Sequence, residues 1–358
     1  MNSIHLIGNC KKGGATNVST MWYDVFKNRY PNDKHLYCFC FPSIDDYPWL
    51  KKCYLFAFST LVKIVKISRS NKTLFICHTI KPQVIGLALF FLLYPRSNLV
   101  LVVHNQDAYI ANPFIKAAWF FLQIFASKIV FVSRDSLLYY SSKLSFLDKN
   151  KLFVVRNGIL DNLFTHSRQN KSCTYLSSDG RPRFGIASRL IKQKNIPLVI
   201  DIINSLEREK LRSIFHIYGD GDDSYLLPNP LDYKYVEIKN HGFCTDINQI
   251  YSSIDIFIST SLWEGFPISP LEALSFGCLC VLSPLPQHRE LSAINSRIEI
   301  ASNFCLDSFM VSIFNILDIL KSPTLSRSSM LKYNRLGLNE INSNFNQSLT
   351  QFLTQIND

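Results

Sequence analysis

A chain of 358 residues, 47% apolar and 18% charged, has core enough for two ordinary domains and is neither disordered nor fibrous. Its net charge of +11 lies entirely in one half: residues 1–165 hold 20 Lys/Arg against 8 Asp and no Glu, residues 166–358 hold 18 against 19. That bias points to an anionic partner for the first half (membrane headgroups, a phosphorylated lipid or nucleic acid), with simple solubility charge as the competing explanation.

The chain opens on SIHLIG, a strand that runs into the turn KKGGATN (11–17). MNSIHLIGNCKKGG therefore reads as a strand and a glycine turn rather than a secretory leader. HLYCFCF, TLFIC, NLVLVV, KIVFV and LFVV follow as further strands, separated by helix-length segments. Two of those segments, KKCYLFAFSTLVKIVKISR (51–69) and FIKAAWFFLQIF (114–125), are expected as helices. Their aromatic residues and Lys51, Lys52, Lys63, Lys66 and Arg69 suit a face on anionic lipid; packed inward faces explain the apolar residues equally well. The run IGLALFFLLY (85–94) is half the roughly 20 residues that a bilayer span needs.

A polar stretch at 165–183 divides the chain. RFGIA, IFHIY, YVEI, DIFIS, CLCVL and RIEI then form a second series of strands, and the polar tail at 341–358 is expected to close the chain as a helix. The runs alternate little between polar and apolar, as strands covered on both faces do, so the class is α/β with parallel sheets. Domains are expected at 1–164 and 165–340, followed by the closing helix 341–358. The ten cysteines include no C-x-x-C pair or zinc-type Cys/His array, and Cys38, Cys40, Cys278 and Cys280 sit in apolar runs, which fits a reducing cytoplasm. In such sheets ligands bind beyond the carboxyl ends of the strands.

One such loop is SLWEGFPISPLEALSFG (261–277). A helix is expected from about Ser269 with Pro270 in its first turn, and Glu272, three residues on, completes a capping box. That explains Glu272 without a ligand, whereas nothing local explains Glu264. The stretch E-G-F-P-x-S-P-L-E-A resembles the E-x7-E signature of retaining glycosyltransferases of family 4. FGIASRLIKQKN (184–195) is similar to that family's G-R-L-x-x-x-K-G element, and the glycine loop, the strand-end His104 and the Asn-Gly of RNGI (156–159) fit the same pattern.

The resemblance implies the GT-B fold, two facing Rossmann-like doubly wound domains with a C-terminal helix crossing back. It implies a retaining, metal-independent hexosyltransferase with no cofactor beyond its nucleotide-sugar substrate, a UDP-hexose or UDP-N-acetylhexosamine. The acceptor would be a saccharide or undecaprenyl-pyrophosphate-linked saccharide in bacterial surface polysaccharide (O-antigen, lipopolysaccharide) synthesis, at the inner face of the cytoplasmic membrane. Carried over by position, Glu264, His104, Arg189 and Lys194 are catalytic, with Arg189 and Lys194 on the diphosphate and Glu272 on the ribose. Donor contacts would come from Gly13, Gly14, Arg189, Lys194, Phe243, Glu264, Pro267, Ile268, Ser269, Leu271 and Glu272. Pro270 departs from the pattern because it cannot donate an N–H to phosphate, leaving the Ser269 and Leu271 amides. Asp220 and Asp222 form D-x-D, but their place in a Gly-Asp-Gly turn speaks for turn chemistry and against a metal. His78, after TLFIC, is a second strand-end histidine. A nucleotide-sugar epimerase and a non-catalytic lipid- or nucleic-acid-binding protein remain the alternatives.

Overall fold

The computed structural model describes residues 1–9, 14–41, 58–70, 73–79, 82–83, 85–87, 89, 97–104, 113–143, 147–158, 175–292, 298–321 and 326–357. Gly13, Lys51, Lys52 and the expected boundary at 164/165 lie outside these residues. The chain divides into Met1–Gly158 with Ser343–Asp358, and Ile159–Asn342.

The first unit holds a parallel sheet of β1 (Asn2–Asn9), β2 (His35–Phe41), β3 (Thr73–His78), β4 (Ser97–Val103), β5 (Lys128–Phe131) and β6 (Leu152–Val154), in the order β2-β1-β3-β4-β5-β6. Its strands carry long apolar runs because both faces are covered: every residue of β3 is buried. Around it lie α1 (Gly14–Arg29), α2 (Phe58–Ser70), α3 (Pro113–Phe125) and α4 (Arg134–Lys143). In α2, Ile64 and Ile67 are buried in the core while Lys63, Lys66 and Arg69 are exposed. One side of that helix is thus occupied by packing, while the outward side carries these charges and Val62, which is 48% exposed. In α3, Phe121 and Ile124 are exposed beside buried Trp119 and Leu122. No helix among the described residues is long and apolar enough to cross a membrane.

The second unit repeats the plan with β7 (Arg183–Ala187), β8 (Ser213–Tyr218), β9 (Val236–Gly242), β10 (Ile256–Ser259), β11 (Leu279–Leu282) and β12 (Ile298–Ile300), ordered β12-β11-β10-β7-β8-β9 and again parallel. β9 runs past the expected YVEI as far as Gly242, and its first residues alternate buried and exposed because it is an edge strand. The helices are α5 (Ile196–Arg208), α6 (Ile247–Ser252), α7 (Ile268–Ser275), α8 (Pro286–Ser292), α9 (Leu306–Leu320) and α10 (Arg327–Asn357).

α10 begins at Arg327, well before the expected 341. Ser326 and Ser329 cap each other reciprocally, each Oγ accepting the other's backbone N–H at 3.1 Å. Its early part belongs to the second unit, where the Asn334 amide donates to Leu274 O at 2.8 Å. Its end belongs to the first, where Phe352 packs against Trp22 and Phe153.

At the amino ends of the second sheet, Arg183 and Asp255 join β7 to β10. Arg183 Nη2 and Nε reach the two carboxylate oxygens of Asp255 at 2.6 and 2.9 Å, and Asp255 Oδ2 also accepts the backbone N–H groups of Arg183 and Leu176. Asp255 is fully buried, so its charge depends on these partners.

Candidate active site

In the second sheet, β8 and β9 lie to one side of β7, and β10 to β12 lie to the other. The loops leaving β7 and β10 therefore diverge, and the crevice between them is the topological switch point where ligands of doubly wound sheets sit.

The two loops are stitched together by hydrogen bonds that each end on a backbone carbonyl. Leu262 N–H donates to Gln193 O at 2.9 Å, Thr260 Oγ1 donates to Lys194 O at 2.7 Å, and Gln193 Nε2 donates to Trp263 O at 2.8 Å. A short 3-10 turn, Lys192–Lys194, ends at Asn195 in the left-handed region (φ 52°), which aims Lys194 at the β10 loop. Lys194 Nζ and Glu264 Oε1 meet at 2.5 Å, both largely buried. Burial pulls the Glu264 carboxyl upward, but the Lys194 ammonium more than offsets it and, with His288 and Ser261, holds the group below its ordinary value. Ser188, Lys194, Ser261, Glu264 and Ser269 line one pocket there. Residues 70 positions apart in the chain thus share one charge-neutral pair, which neither motif reveals alone.

Arg189 is exposed on the same β7 loop. That loop is crossed closely by the Gly-Asp-Gly turn: Leu190 N–H donates to Asp220 O and Asp223 N–H to Leu190 O, at 3.0 and 2.8 Å. Gly219 has φ 142°, and a Cβ there would lie 1.7 Å from Ser188 O. The glycines are needed for this close approach, a role the sequence shows only as turn chemistry. The Asp220 carboxylate accepts from Gly221 N and Ser224 Oγ, at 2.8 and 2.7 Å.

α7 starts at Ile268, with Pro267 at the N-cap and no side-chain cap. This corrects the capping-box expectation: the helix begins one residue early, and Glu272 Oε2 instead accepts the Tyr251 hydroxyl at 2.9 Å. It also changes which amides are open. Ile268 and Ser269 occupy the first two positions, whereas Leu271 is at the fourth, where the first i→i−4 bond of the helix falls. Ser269 also hydrogen-bonds Tyr251.

Burial raises the Glu272 carboxyl to about 7. A raised carboxyl favours the folded state at low pH, where both states are protonated. That advantage is lost as pH climbs from the ordinary value near 4.5 through about 7. Glu272→Gln should flatten this part of the stability–pH curve and raise stability at pH 8 by the order of 2–3 kcal/mol. Thermal melts of both proteins from pH 4 to 8 check it, and parallel curves would refute the burial argument.

Phe243 follows β9 and is 58% exposed, so it is not a core aromatic. His288, which the sequence did not single out, is fully buried on α8 with Nδ1 2.9 Å from Ser283 O, and burial pushes it down to about 4. It faces the field of Glu264 and Lys194. In the first unit, Gly14 opens α1, and His104 follows β4. His78 is the last residue of β3, its Nδ1 3.2 Å from His104 Nε2. Burial pushes His104 down to about 4 and His78 well below its ordinary value.

Residues 181–302 match the family model described as Glycosyl transferases group 1. The matched segment runs from just before β7 through β12 and contains Arg189, Lys194, Phe243, Glu264 and Glu272. Among curated proteins, the chain is 28% identical over 211 residues to the O-antigen biosynthesis glycosyltransferase WclY of Escherichia coli, covering 55% of this chain and 56% of that protein. It is 30% identical over 187 residues to an Escherichia coli UDP-Gal:alpha-D-GlcNAc-diphosphoundecaprenol alpha-1,3-galactosyltransferase, covering 47% and 46%. The chain thus spans about half the length of the curated relatives it matches. Among solved structures, Anabaena HepE in complex with UDP and glucose superposes with a TM-score of 0.70 at 17% identity, covering 99% of each chain. Sucrose-phosphate synthase of Thermosynechococcus elongatus gives 0.69 at 13% identity, over 99% and 98%. At such identities the likeness establishes the fold, which is GT-B.

Proposed function

We propose that the chain is a retaining, metal-independent glycosyltransferase. It would move a hexose or N-acetylhexosamine from a UDP-sugar to a saccharide or undecaprenyl-pyrophosphate-linked acceptor in surface polysaccharide synthesis. The observation that carries this reading is the Lys194–Glu264 pair beside an uncapped helix start at the β7/β10 switch point. The matched group 1 segment, the O-antigen and UDP-galactose enzymes among the relatives, and the shared fold support it.

In the proposed reaction the acceptor hydroxyl forms a bond to the anomeric carbon on the face from which the diphosphate departs. The anomeric carbon–phosphate oxygen bond breaks, and the leaving phosphate oxygen takes the hydroxyl proton. Arg189, Lys194 and the amides of Ile268 and Ser269 offset the charge growing on the diphosphate, work that a divalent metal does elsewhere. Glu264 orients the sugar and holds Lys194. Glu272 accepts from ribose hydroxyls, Phe243 lies by the nucleobase, and Gly13 and Gly14 would let the chain approach the donor phosphates closely. His104 provides a hydrogen bond to the substrate. The excess of basic residues in the first half favours attachment to an anionic leaflet, through charges such as Lys63, Lys66 and Arg69.

The test is a nucleotide and donor screen, with acceptor lipid supplied in anionic vesicles. UDP at 100 times its Kd should add about 2.7 kcal/mol, roughly 5 °C or more in the melting of the second unit. One UDP-sugar should then yield an α-linked product, faster on anionic than on neutral vesicles. No UDP shift and no transfer from any nucleotide sugar would refute the reading, and equal rates on both vesicles would remove the membrane partner.

A further inference from the structure

The first unit contains a buried histidine arrangement that the family match does not reach and that bears on what His104 can do. His5 on β1, His78 on β3 and His104 after β4 sit side by side, because these strands are neighbours in the order β2-β1-β3-β4. His5 and His78 are fully buried. Their rings stack at 6.1 Å between centroids and 15° between planes. No hydrogen bond joins the two rings, since both ring nitrogens of His5 are buried without a partner. Its own edges lie against Tyr23 and Phe26, at 5.6 and 5.2 Å.

His78 has one polar contact among the described residues, from Nδ1 to His104 Nε2 at 3.2 Å, and its Nε2 is buried with no partner. Burial keeps both rings neutral, so one proton lies between the two nitrogens, and the ring that accepts it must carry its own proton on its other nitrogen. If His104 Nε2–H donates, His78 must hold its own proton on Nε2, as a buried N–H without a hydrogen-bond acceptor. The Trp22 ring, edge-to-face with His78 at 5.8 Å, offers that N–H at most a weak aromatic contact. If His78 Nδ1–H donates, the orphan is only a lone pair. Orphaned buried N–H groups are the rarer case, under-satisfied acceptors being better tolerated.

We infer that His78 is a positioning residue that donates from Nδ1 to His104 Nε2, so that His104 carries its proton on Nδ1 and presents an N–H, not a lone pair, to its ligand. His104 is partly exposed, and its Nδ1 has no partner among the described residues. Its ligand atom is therefore an acceptor oxygen, of a sugar hydroxyl or a phosphate, and His104 is not a base that removes a substrate proton. The last step rests on the proposed glycosyltransferase reading; the tautomer does not.

The test is long-range ¹H–¹⁵N correlation on the full chain labelled in histidine at neutral pH, with His104→Gln used for assignment. Expected is a protonated Nδ1 and a bare Nε2 on His104. In His78→Asn, whose amide nitrogen replaces Nδ1 as donor, His104 should keep that tautomer. In His78→Leu, which has no donor, it should lose it, and any transfer activity should fall about tenfold and be largely restored in His78→Asn. A His104 protonated on Nε2 overturns the inference whether or not the protein transfers sugar, as does an Nδ1–H tautomer that persists in His78→Leu. If the tautomer is as expected and no nucleotide sugar is turned over, the glycosyltransferase reading fails and the tautomer assignment stands. If His78→Leu does not fold, the wild-type spectrum and His78→Asn still decide.

Discussion

Lys194→Ala should lower transfer by roughly 10²–10³-fold, the usual loss when one preorganised charge-stabilising donor is removed. The ammonium keeps the buried Glu264 carboxylate paired at 2.5 Å and, in the proposed reaction, would also stabilise the departing diphosphate. Alanine at 194 leaves Glu264 as an uncompensated anion where the diphosphate must bind, so the KM for donor should rise as kcat falls. Glu264→Ala removes the orienting acid and releases Lys194 to bind phosphate, so it should lower kcat with little rise in KM. Because the two side chains form one unit, the double variant should be hardly worse than the poorer single one. Steady-state kinetics of the four proteins check this, and unchanged turnover in both single variants would sink the site assignment.

Asp255→Ala should destabilise the second unit by about 3–5 kcal/mol, because it strands the partly buried Arg183 guanidinium and removes an acceptor of two backbone N–H groups. At roughly 2–4 °C per kcal/mol for a unit of this size, melting should fall by on the order of 10 °C. The pair joins the amino ends of β7 and β10, whereas Lys194 and Glu264 follow their carboxyl ends. The variant that remains folded at low temperature should therefore keep its kcat. Urea unfolding alongside kinetics at 10 °C separates the two effects; a stability loss under about 1 kcal/mol would show that the buried pair is not what holds these strands.

Much of this architecture is legible residue by residue. Most of the described strands appear as short apolar runs, since a parallel strand buried on both faces admits few polar residues; β3 and β8 have no exposed residue. What the runs do not show is where a strand ends at a sheet edge, so β9, legible only as YVEI, extends through Gly242. Caps are harder still. Ser269 and Glu272 have capping-box spacing, yet the start of α7 at Ile268 and the Tyr251 hydroxyl claim those side chains for packing. Ser326 and Ser329 form a real reciprocal cap in a stretch that reads only as polar.

The sequence by itself determined the α/β class, the two series of strands and the addresses of Arg189, Lys194, Glu264, Glu272 and His104 at strand ends, because hydrophobic periodicity and strand-to-loop transitions are local properties of the chain. Only the tertiary structure decided which strand ends are neighbours. Strand order brings β7 beside β10, so that Lys194 neutralises Glu264, and β3 beside β4, so that His78 meets His104. Those pairings span 70 and 26 residues, and they arise from sheet topology and burial, which set partners, charge and tautomer at once.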